Sequence, residues 1–305
     1  MLLWGTMHIP DGFLSTPVWL GLDVVSLPAV GYVARRARRE LEETRIPLLG
    51  VMGAFVFAAQ MINFPVGAGT SGHLVGSALL AITLGPGAAA VVMTAILGIQ
   101  AFVFQDGGVL ALGANVFNMA FAGVLAGYLP YHFWGPRRLA FVAGGALSVL
   151  VGAVLAIAEL LVSGAPMPRP ALLVASGIFA VTALLEGLIT AAVLEGIERL
   201  NPGFIRKPEP TRMRAVAAVG LTAVLLAAVG VLFASAYPDG LESFAESIGI
   251  ADRARTLFAT PLMDYEAQFF GSPWLQKAAA GLAGLALIYG ACLLIGRYVR
   301  RQRSA

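Results

Sequence analysis

Nine apolar runs alternate with polar connections along the chain. They cover roughly residues 16–34, 47–63, 72–84, 87–105, 110–130, 138–163, 171–198, 213–235 and 274–296. Runs of this length, with most of the charge in the connections, predict membrane-spanning helices. The third run is the exception. At 1.5 Å per residue it reaches only about 20 Å, short of a hydrocarbon core of roughly 30 Å, so non-helical chain must enter the membrane beside it. The stretch before it, NFPVGAGTSGHLVG at residues 63–76, is rich in glycine. Irregular backbone at membrane depth is tolerated where protein or a water-filled cavity satisfies its polar groups. This segment therefore predicts a loop sunk into a pocket, with His73 at its inner end.

Composition supports that pattern. Hydrophobic residues make up 58% of the 305 and charged residues 12%, about half the charge density of a soluble domain. The expected fold is all-α: a polytopic membrane helix bundle of about nine transmembrane helices, with at most a small appendage. The net charge of +3 does not point to nucleic acid, because the basic residues follow the topology. Arg35, Arg36, Arg38, Arg39 and Arg45 come after the first run, and Arg137 and Arg138 after the fifth. Arg199, Arg206, Lys207, Arg212 and Arg214 lie between the seventh and eighth, and Arg297, Arg300, Arg301 and Arg303 close the chain. Only Arg169, Arg253, Arg255 and Lys277 fall on the other side. The positive-inside rule then places the N-terminus outside and the C-terminus in the cytoplasm. The single cysteine, Cys292, has no partner in the chain, so disulfides play no part.

Three histidines occur. His132, in YHFWGPRR, reads as part of an interfacial aromatic belt on the cytoplasmic side. His8 and His73 share the outer side. His8 stands in MHIPDGFLS, residues 7–15. If Met7 were the first residue, its α-amine, the backbone nitrogen of His8 and the His8 Nδ1 would form two fused chelate rings, and His73 could fill a fourth corner. Four nitrogens in a plane suit Ni(II) or Cu(II), and neutral imidazole also suits Co(II). Residues 1–6, MLLWGT, would block that amine. They lack the basic and apolar regions of a signal peptide, so the chain is expected to start at Met7.

Other polar residues have two readings each. Gln60, Asn63, Thr70 and Ser71 could orient an imidazole or satisfy loop backbone. Asp11, in PDG, reads as a turn residue or a cap for the first helix, and its carboxylate could attract cations. Asp23, Glu159, Glu186 and Glu195 lie inside apolar runs, where an ion costs at least a few kcal/mol. They read either as snorkelling or interhelical hydrogen bonding, or as a cation path or coupling surface. Gly85, Gly87, Gly144, Gly145 and Gly152 read as close helix contacts. Between the eighth and ninth runs, residues 236–273 form a long, mostly acidic connection in which PDGLE reads as a turn followed by an acidic helix start.

Several motifs in order carry a resemblance to a known family. MHIPDGFLS, FVFAAQMINFPVGAGTSGHLVG (residues 55–76) and QDGGVLALGANVFNMAFAG (residues 105–123) resemble the substrate-binding, M-type membrane component of nickel/cobalt energy-coupling factor ABC transporters. ASAYPDGLE (residues 234–242) resembles the signature of the small N-type subunit, here fused at the C-terminus. The resemblance implies a binding component over residues 7–205, of about seven helices. It also implies a PDGLE-type accessory domain over residues 206–305, of two helices and an outer loop. Pro238, Asp239, Gly240, Leu241 and Glu242 form the accessory motif. The implied metal ligands are Met7, His8 and His73. The implied cargo is Ni2+ or Co2+, with no prosthetic group, and the implied location is the cell membrane.

The implied partners are a membrane coupling (T) subunit and a pair of ATPase subunits. The pattern G-x-x-x-x-G-K-[ST] is absent from the sequence, so this chain has no ATPase site of that type. An enzyme would need a nucleophile with a base and an orienting third group. Ser71 and His73 are close, but a third group is missing. A gradient-driven carrier would show paired repeats, and no convincing repeat is present.

Overall fold

The computed structural model describes residues 8–40, 46–67, 69–205, 213–235 and 237–301. Met7, Arg45, Arg206, Lys207, Arg212 and Arg303, named above, lie outside the described residues.

Helices follow the apolar runs. They are α1 (Thr16–Glu40), α2 (Ile46–Gln60), α3 (Ser77–Leu84), α4 (Pro86–Ile99), α5 (Leu112–Asn115), α6 (Val124–Trp134), α7 (Arg138–Val162), α8 (Arg169–Leu200), α9 (Met213–Ala228), α10 (Gly240–Ser247) and α11 (Pro273–Arg301). A π-helical turn, Gln100–Phe104, extends α4, and another, Val116–Gly123, joins α5 to α6. Among the described residues, seven helical segments are long and apolar enough to cross a membrane. The sequence pattern suggested about nine. The two short ones are α2, of 15 residues, and α3, of 8, about 22 Å and 12 Å long.

The chain between α2 and α3 is not plain loop. β1 (Phe64–Gly67) and β2 (Thr70–Gly72) pair antiparallel in a small hairpin with a register shift between Pro65 and Gly67. The residues that follow, including His73, lead directly into α3. Gly76 is left-handed at φ 77°, and a Cβ there would stand 2.5 Å from Val56. Only glycine permits this turn against α2.

Small residues let the long helices approach. A Cβ on Gly145 would lie 2.7 Å from the Gly187 Cα, where α7 crosses α8, and one on Gly144 would meet the Gly127 carbonyl at 2.4 Å. Both act as the sequence suggested. Gly87 makes ordinary contact with Ala37, Gly152 has looser surroundings, and Gly85 supplies a left-handed turn between α3 and α4 instead of a helix contact.

Among the described residues, two apolar cores result. The larger is shared by α2, α3, α4, α9 and α11 and includes Phe57, Leu79, Met93 and Ile288. The smaller joins Ile9, Phe13 and Leu14 of the N-terminal arm to Leu160 of α7, Phe179 of α8, and Leu241 and Phe244 of α10. Each large side chain buried there stabilises by roughly 1.5–3 kcal/mol. The arm and the C-terminal block thus fold onto one another.

Candidate metal centre

Three chain segments converge where α1, α5 and α11 begin and α2 and α4 end. The first is the N-terminal arm, residues 8–15. Asn115 clamps it: the Ile9 amide donates to the Asn115 Oδ1 at 2.8 Å, and the Asn115 Nδ2 donates to the Ile9 carbonyl at 3.0 Å. The Gly108 amide also donates to the Ile9 carbonyl, at 2.9 Å. The arm lies so close that a Cβ on Gly107 would meet the His8 Cβ at 2.9 Å, and one on Gly108 would meet the Asp11 Oδ1 at 2.3 Å.

Asp11 accepts from the amides of Val109, Leu110 and Ala111, at 3.0, 2.8 and 3.1 Å. It therefore caps the backbone ahead of α5, not α1 as its position in the sequence suggested. Burial holds its carboxyl above the ordinary carboxylate range, against the pull of those three amides.

The second segment carries His73. The carboxylate of Glu186, on α8, accepts from the Val75 amide at 2.7 Å and the Gly76 amide at 2.9 Å. The loop is thereby bolted to the bundle just after the histidine. Asp23 does the same for Gly113 at 2.7 Å, and Glu159 accepts from Asn118 at 3.0 Å. Hydrogen bonding across segments accounts for all three. Glu195 sits apart, 3.5 Å from Arg138.

The result brings His8 and His73 together. Their rings stack at 6.1 Å between centroids, inclined by 30°, and both side chains are buried. The His73 Nδ1 donates to the Leu74 carbonyl at 2.9 Å, so the lone pair is on Nε2. Burial, reinforced by the neighbouring His8, lowers the His73 pKa to about 4, so this imidazole is neutral near pH 7. The His8 Nδ1 lies 3.0 Å from the Asp106 Oδ1. A carboxylate accepts, so the Nδ1–H of His8 donates. In this arrangement the nitrogen that a terminal chelate would use faces Asp106.

The remaining sequence candidates support the backbone. The Gln60 Nε2 donates to the Val75 carbonyl at 2.8 Å, Thr70 to Gly67, and Ser71 to the Tyr237 carbonyl at 2.7 Å. The Asn63 carbonyl accepts from Ser235 at 2.7 Å. Met7 lies outside the described residues. His132 is exposed beside Tyr128 and Phe133, as the aromatic-belt reading expects. Sequence reasoning missed Asp106, Asn115, Gln100 and Tyr265. Asp106 and Asn115 lie in the quoted stretch from Gln105 to Gly123, where buried polar side chains among glycines were the available signal.

The third segment is the connection between α9 and α11. Asp239 is fully buried and caps α10 by accepting from the Glu242 amide at 2.8 Å. PDGLE thus forms the turn and helix start its residues imply. Burial, with Glu242 nearby, holds its carboxyl well above the ordinary range. The Pro238 carbonyl accepts from the Ser71 amide at 2.8 Å, the Arg255 amide donates to the Asp11 carbonyl at 2.8 Å, and Thr260 donates to the Val103 carbonyl at 2.5 Å. One connection thus ties down the His73 loop, the arm and the end of α4.

Between arm and connection is a cavity of about 400 Å³ with His8 in its wall. Among its described lining residues, Asp11, Glu242, Glu246, Asp252 and Asp264 face a single basic residue, Arg255. Burial and the neighbouring Glu266 raise Asp264 to about 6. Among the described residues no group of three or more His, Cys, Asp or Glu side chains could hold a metal ion. The two imidazoles therefore need further donors of another kind.

Comparison with known proteins decides the family. Residues 8–204 match the CbiM model, described as the cobalt uptake substrate-specific transmembrane region. The chain belongs to the CbiM family. Residues 213–301 match the PDGLE domain, so an M-type component is fused to an N-type subunit in one multi-pass membrane chain. The fused nickel transport protein NikMN of Rhodobacter capsulatus is 32% identical over 330 residues, covering 92% of this chain and 95% of its own. A NikMN chain of Archaeoglobus fulgidus is 34% identical over 308 residues, covering 96% and 99%. A crystal structure of a transition metal transporter, 31% identical, superposes with a TM-score of 0.57 over 68% of this chain and 99% of that one.

Proposed function

We propose that this chain is the substrate-binding component of an ATP-driven nickel/cobalt uptake transporter of the energy-coupling factor type. It captures Ni2+ or Co2+ on the extracytoplasmic face of the cell membrane and passes it inward when joined to a coupling subunit and two ATPase subunits. The 6.1 Å stack of His8 on His73, buried where arm, loop and C-terminal connection meet, carries this reading.

The ligands are the Met7 amine, the His8 backbone nitrogen and imidazole, and the His73 imidazole. His73 is ready as it stands, neutral and with Nδ1–H already held by a carbonyl. Chelation through the His8 Nδ1 would exchange its hydrogen bond to Asp106 for a metal bond, the ring changing tautomer so that the Nδ1 proton goes to solvent, Nε2 takes one up and the imidazole stays neutral. The acidic cavity beside His8 concentrates divalent cations at the mouth of the site. We divide the chain into a binding component, residues 7–205, and an accessory block, residues 206–305, whose connection closes over the site. The helix ends away from the site carry Arg35, Arg36, Arg137, Arg138, Arg199, Arg214 and Arg297. That supports a cytoplasmic orientation for those ends, where the ATPase subunits would dock.

The test is equilibrium Ni2+ binding to purified protein, comparing a chain that starts at Met7 with one that starts at Met1, with the N-terminus verified by intact mass. The Met7 chain should bind with the absorption of a planar four-nitrogen site, and His8→Ala or His73→Ala should lose binding by at least about 100-fold. Tight binding by either alanine variant overturns the site. Equal planar binding by an intact Met1 chain overturns the amine ligand.

A further inference from the structure

We infer that Asn115 is a positioning residue for metal capture: by clasping the backbone after His8, it aims the open corner of the Met7–His8 chelate at His73. The inference rests on the proposed ligand set and names the device that joins its two halves.

Three of the proposed donors come from two consecutive residues: the Met7 amine, the His8 backbone nitrogen and the His8 Nδ1. In a planar four-nitrogen arrangement the backbone nitrogen is the middle donor of the three, so the open corner lies opposite it. Where that corner points is therefore set by the His8 backbone and not by either ring. Aimed away from His73, the same chelate would take water as its fourth donor.

The structure fixes this backbone from its C-terminal side. Asn115 is buried, and its side chain meets both polar groups of Ile9: the Ile9 amide donates to Oδ1 at 2.8 Å, and Nδ2 donates to the Ile9 carbonyl at 3.0 Å. A side-chain amide suits this task because it carries an acceptor and a donor side by side. Gly107 removes a second freedom, since a Cβ there would stand 2.9 Å from the His8 Cβ and 3.2 Å from the Asn115 Nδ2. The His8 carbonyl carbon is thus held through the clasp and its Cβ against Gly107. With two substituents of the His8 Cα placed, chirality places the third, the ligating nitrogen.

The base of the clasp is itself fixed. Two residues before Asn115, the Gly113 amide donates to Asp23 at 2.7 Å and the Gly113 carbonyl accepts from Ser26 at 2.8 Å. Both partners belong to α1, so the short α5 that carries Asn115 is anchored to a long helix.

None of these bonds uses an atom of the chelate. Chelation turns the His8 ring about its Cα–Cβ and Cβ–Cγ bonds, which frees Nδ1 from Asp106 and leaves Cα, Cβ and the Ile9 peptide in place. The clasp therefore persists with the ion bound, whereas the Asp106 hydrogen bond belongs to the metal-free state. It favours binding by preorganisation: an arm without it samples orientations in which the fourth corner misses His73.

The test is Ni2+ titration followed by absorption, on the full chain started at Met7. It compares Asn115→Ala and Asn115→Asp with His73→Ala and with the double variant of Asn115→Ala and His73→Ala. Asn115→Ala should still bind, because the Met7 and His8 donors are intact, but about 10–100-fold more weakly. The absorption of its bound ion should shift toward that of His73→Ala. In the His73→Ala background no fourth donor is left to aim at, and Asn115→Ala should cost little more. Asn115→Asp keeps the acceptor for the Ile9 amide and loses the donor to its carbonyl. It should show the same shift in smaller degree, and it carries the test if the alanine variant does not fold. Wild-type absorption in the variant that carries the test, or a loss fully additive with His73→Ala, overturns the inference, because an arm that is merely weakened keeps its fourth donor. His73→Ala separates the two readings. If it binds Ni2+ normally, the proposed site is wrong; if it loses binding while Asn115→Ala keeps the wild-type absorption, the site stands and this inference falls.

Discussion

The imidazole of His73 lies 6.1 Å from that of His8, centroid to centroid, and each ring presents its Nδ1 to an oxygen of its own, the Leu74 carbonyl for one and Asp106 for the other. Two imidazoles from distant parts of the chain are thereby held by different devices. His73 is locked by its own loop, whereas His8 depends on an arm that must stay docked. The predictions follow from that asymmetry.

Docking of the arm depends on the absence of a side chain at position 108. A Cβ there would stand 2.3 Å from the Asp11 Oδ1 and 2.5 Å from its amide nitrogen, backbone that cannot yield. Gly108→Ala should displace the arm, weakening Ni2+ binding by more than about tenfold while the helical circular dichroism is retained. Isothermal titration beside a spectrum of the same sample checks both.

Glu186 holds the loop that carries the other imidazole. Its carboxylate takes two backbone amides directly after His73, and charged hydrogen bonds of this kind contribute about 1.5–3 kcal/mol each. Glu186→Ala leaves two buried donors unpaired and should cost about 3 kcal/mol or more in stability together with metal affinity. Glu186→Gln, which keeps an acceptor, should lose less of both. Thermal melting in detergent with and without metal reports the two effects.

The pH dependence separates the two proposed ligands, His73 and the Met7 amine. The His73 pKa is depressed to about 4 from an ordinary 6.5. A depressed histidine contributes stability that is complete above the unfolded value and is lost as pH falls from about 6.5 to 4. The shift corresponds to about 3 kcal/mol. Melting of the metal-free protein should accordingly fall across that window, and His73→Ala should flatten the fall. Metal binding should be lost in a separate window at higher pH than this, weakening as pH falls below the 7.7–8.0 reference range of an α-amine. His73→Ala should lower affinity throughout without moving that midpoint. A midpoint that moves with the substitution would contradict the assignment.

The connection between α9 and α11 touches the His73 loop, the arm and the end of α4. Replacing residues 237–272 by a short flexible linker should reduce metal uptake by cells expressing the whole transporter by at least about fivefold. Uptake at the original rate, with the protein present in the membrane at equal amount, would show that closure over the site is dispensable.

How much of this was legible in sequence depended on the range of the interaction. The apolar runs and the approach of His8 to His73 were visible, because periodicity and motif are local, whereas the glycine-rich stretch before α3, read as a loop, is a small hairpin. The span count was less so. The length of α2 and α3 is set by where the hairpin must sit, and hydropathy does not encode that. Asp11 looked like a cap for its own helix, yet its carboxylate reaches residues 109–111, a contact that only folding creates. Glu186 had no visible partner because its partners are backbone amides, which carry no residue identity. Tyr265 was hidden because nothing near it in the chain announces that its hydroxyl meets Asp106.

The smaller apolar core, where Ile9 and Phe13 pack against Leu241 and Phe244, has a consequence for supply. Because the two sides are covalently continuous, the effective concentration of one at the other is set by the tether, in the millimolar range for a short flexible one, and does not depend on how many copies the cell makes. Every molecule synthesised therefore carries its own cover, in a fixed ratio of one to one. A version split into two chains would have to achieve this by balancing their expression.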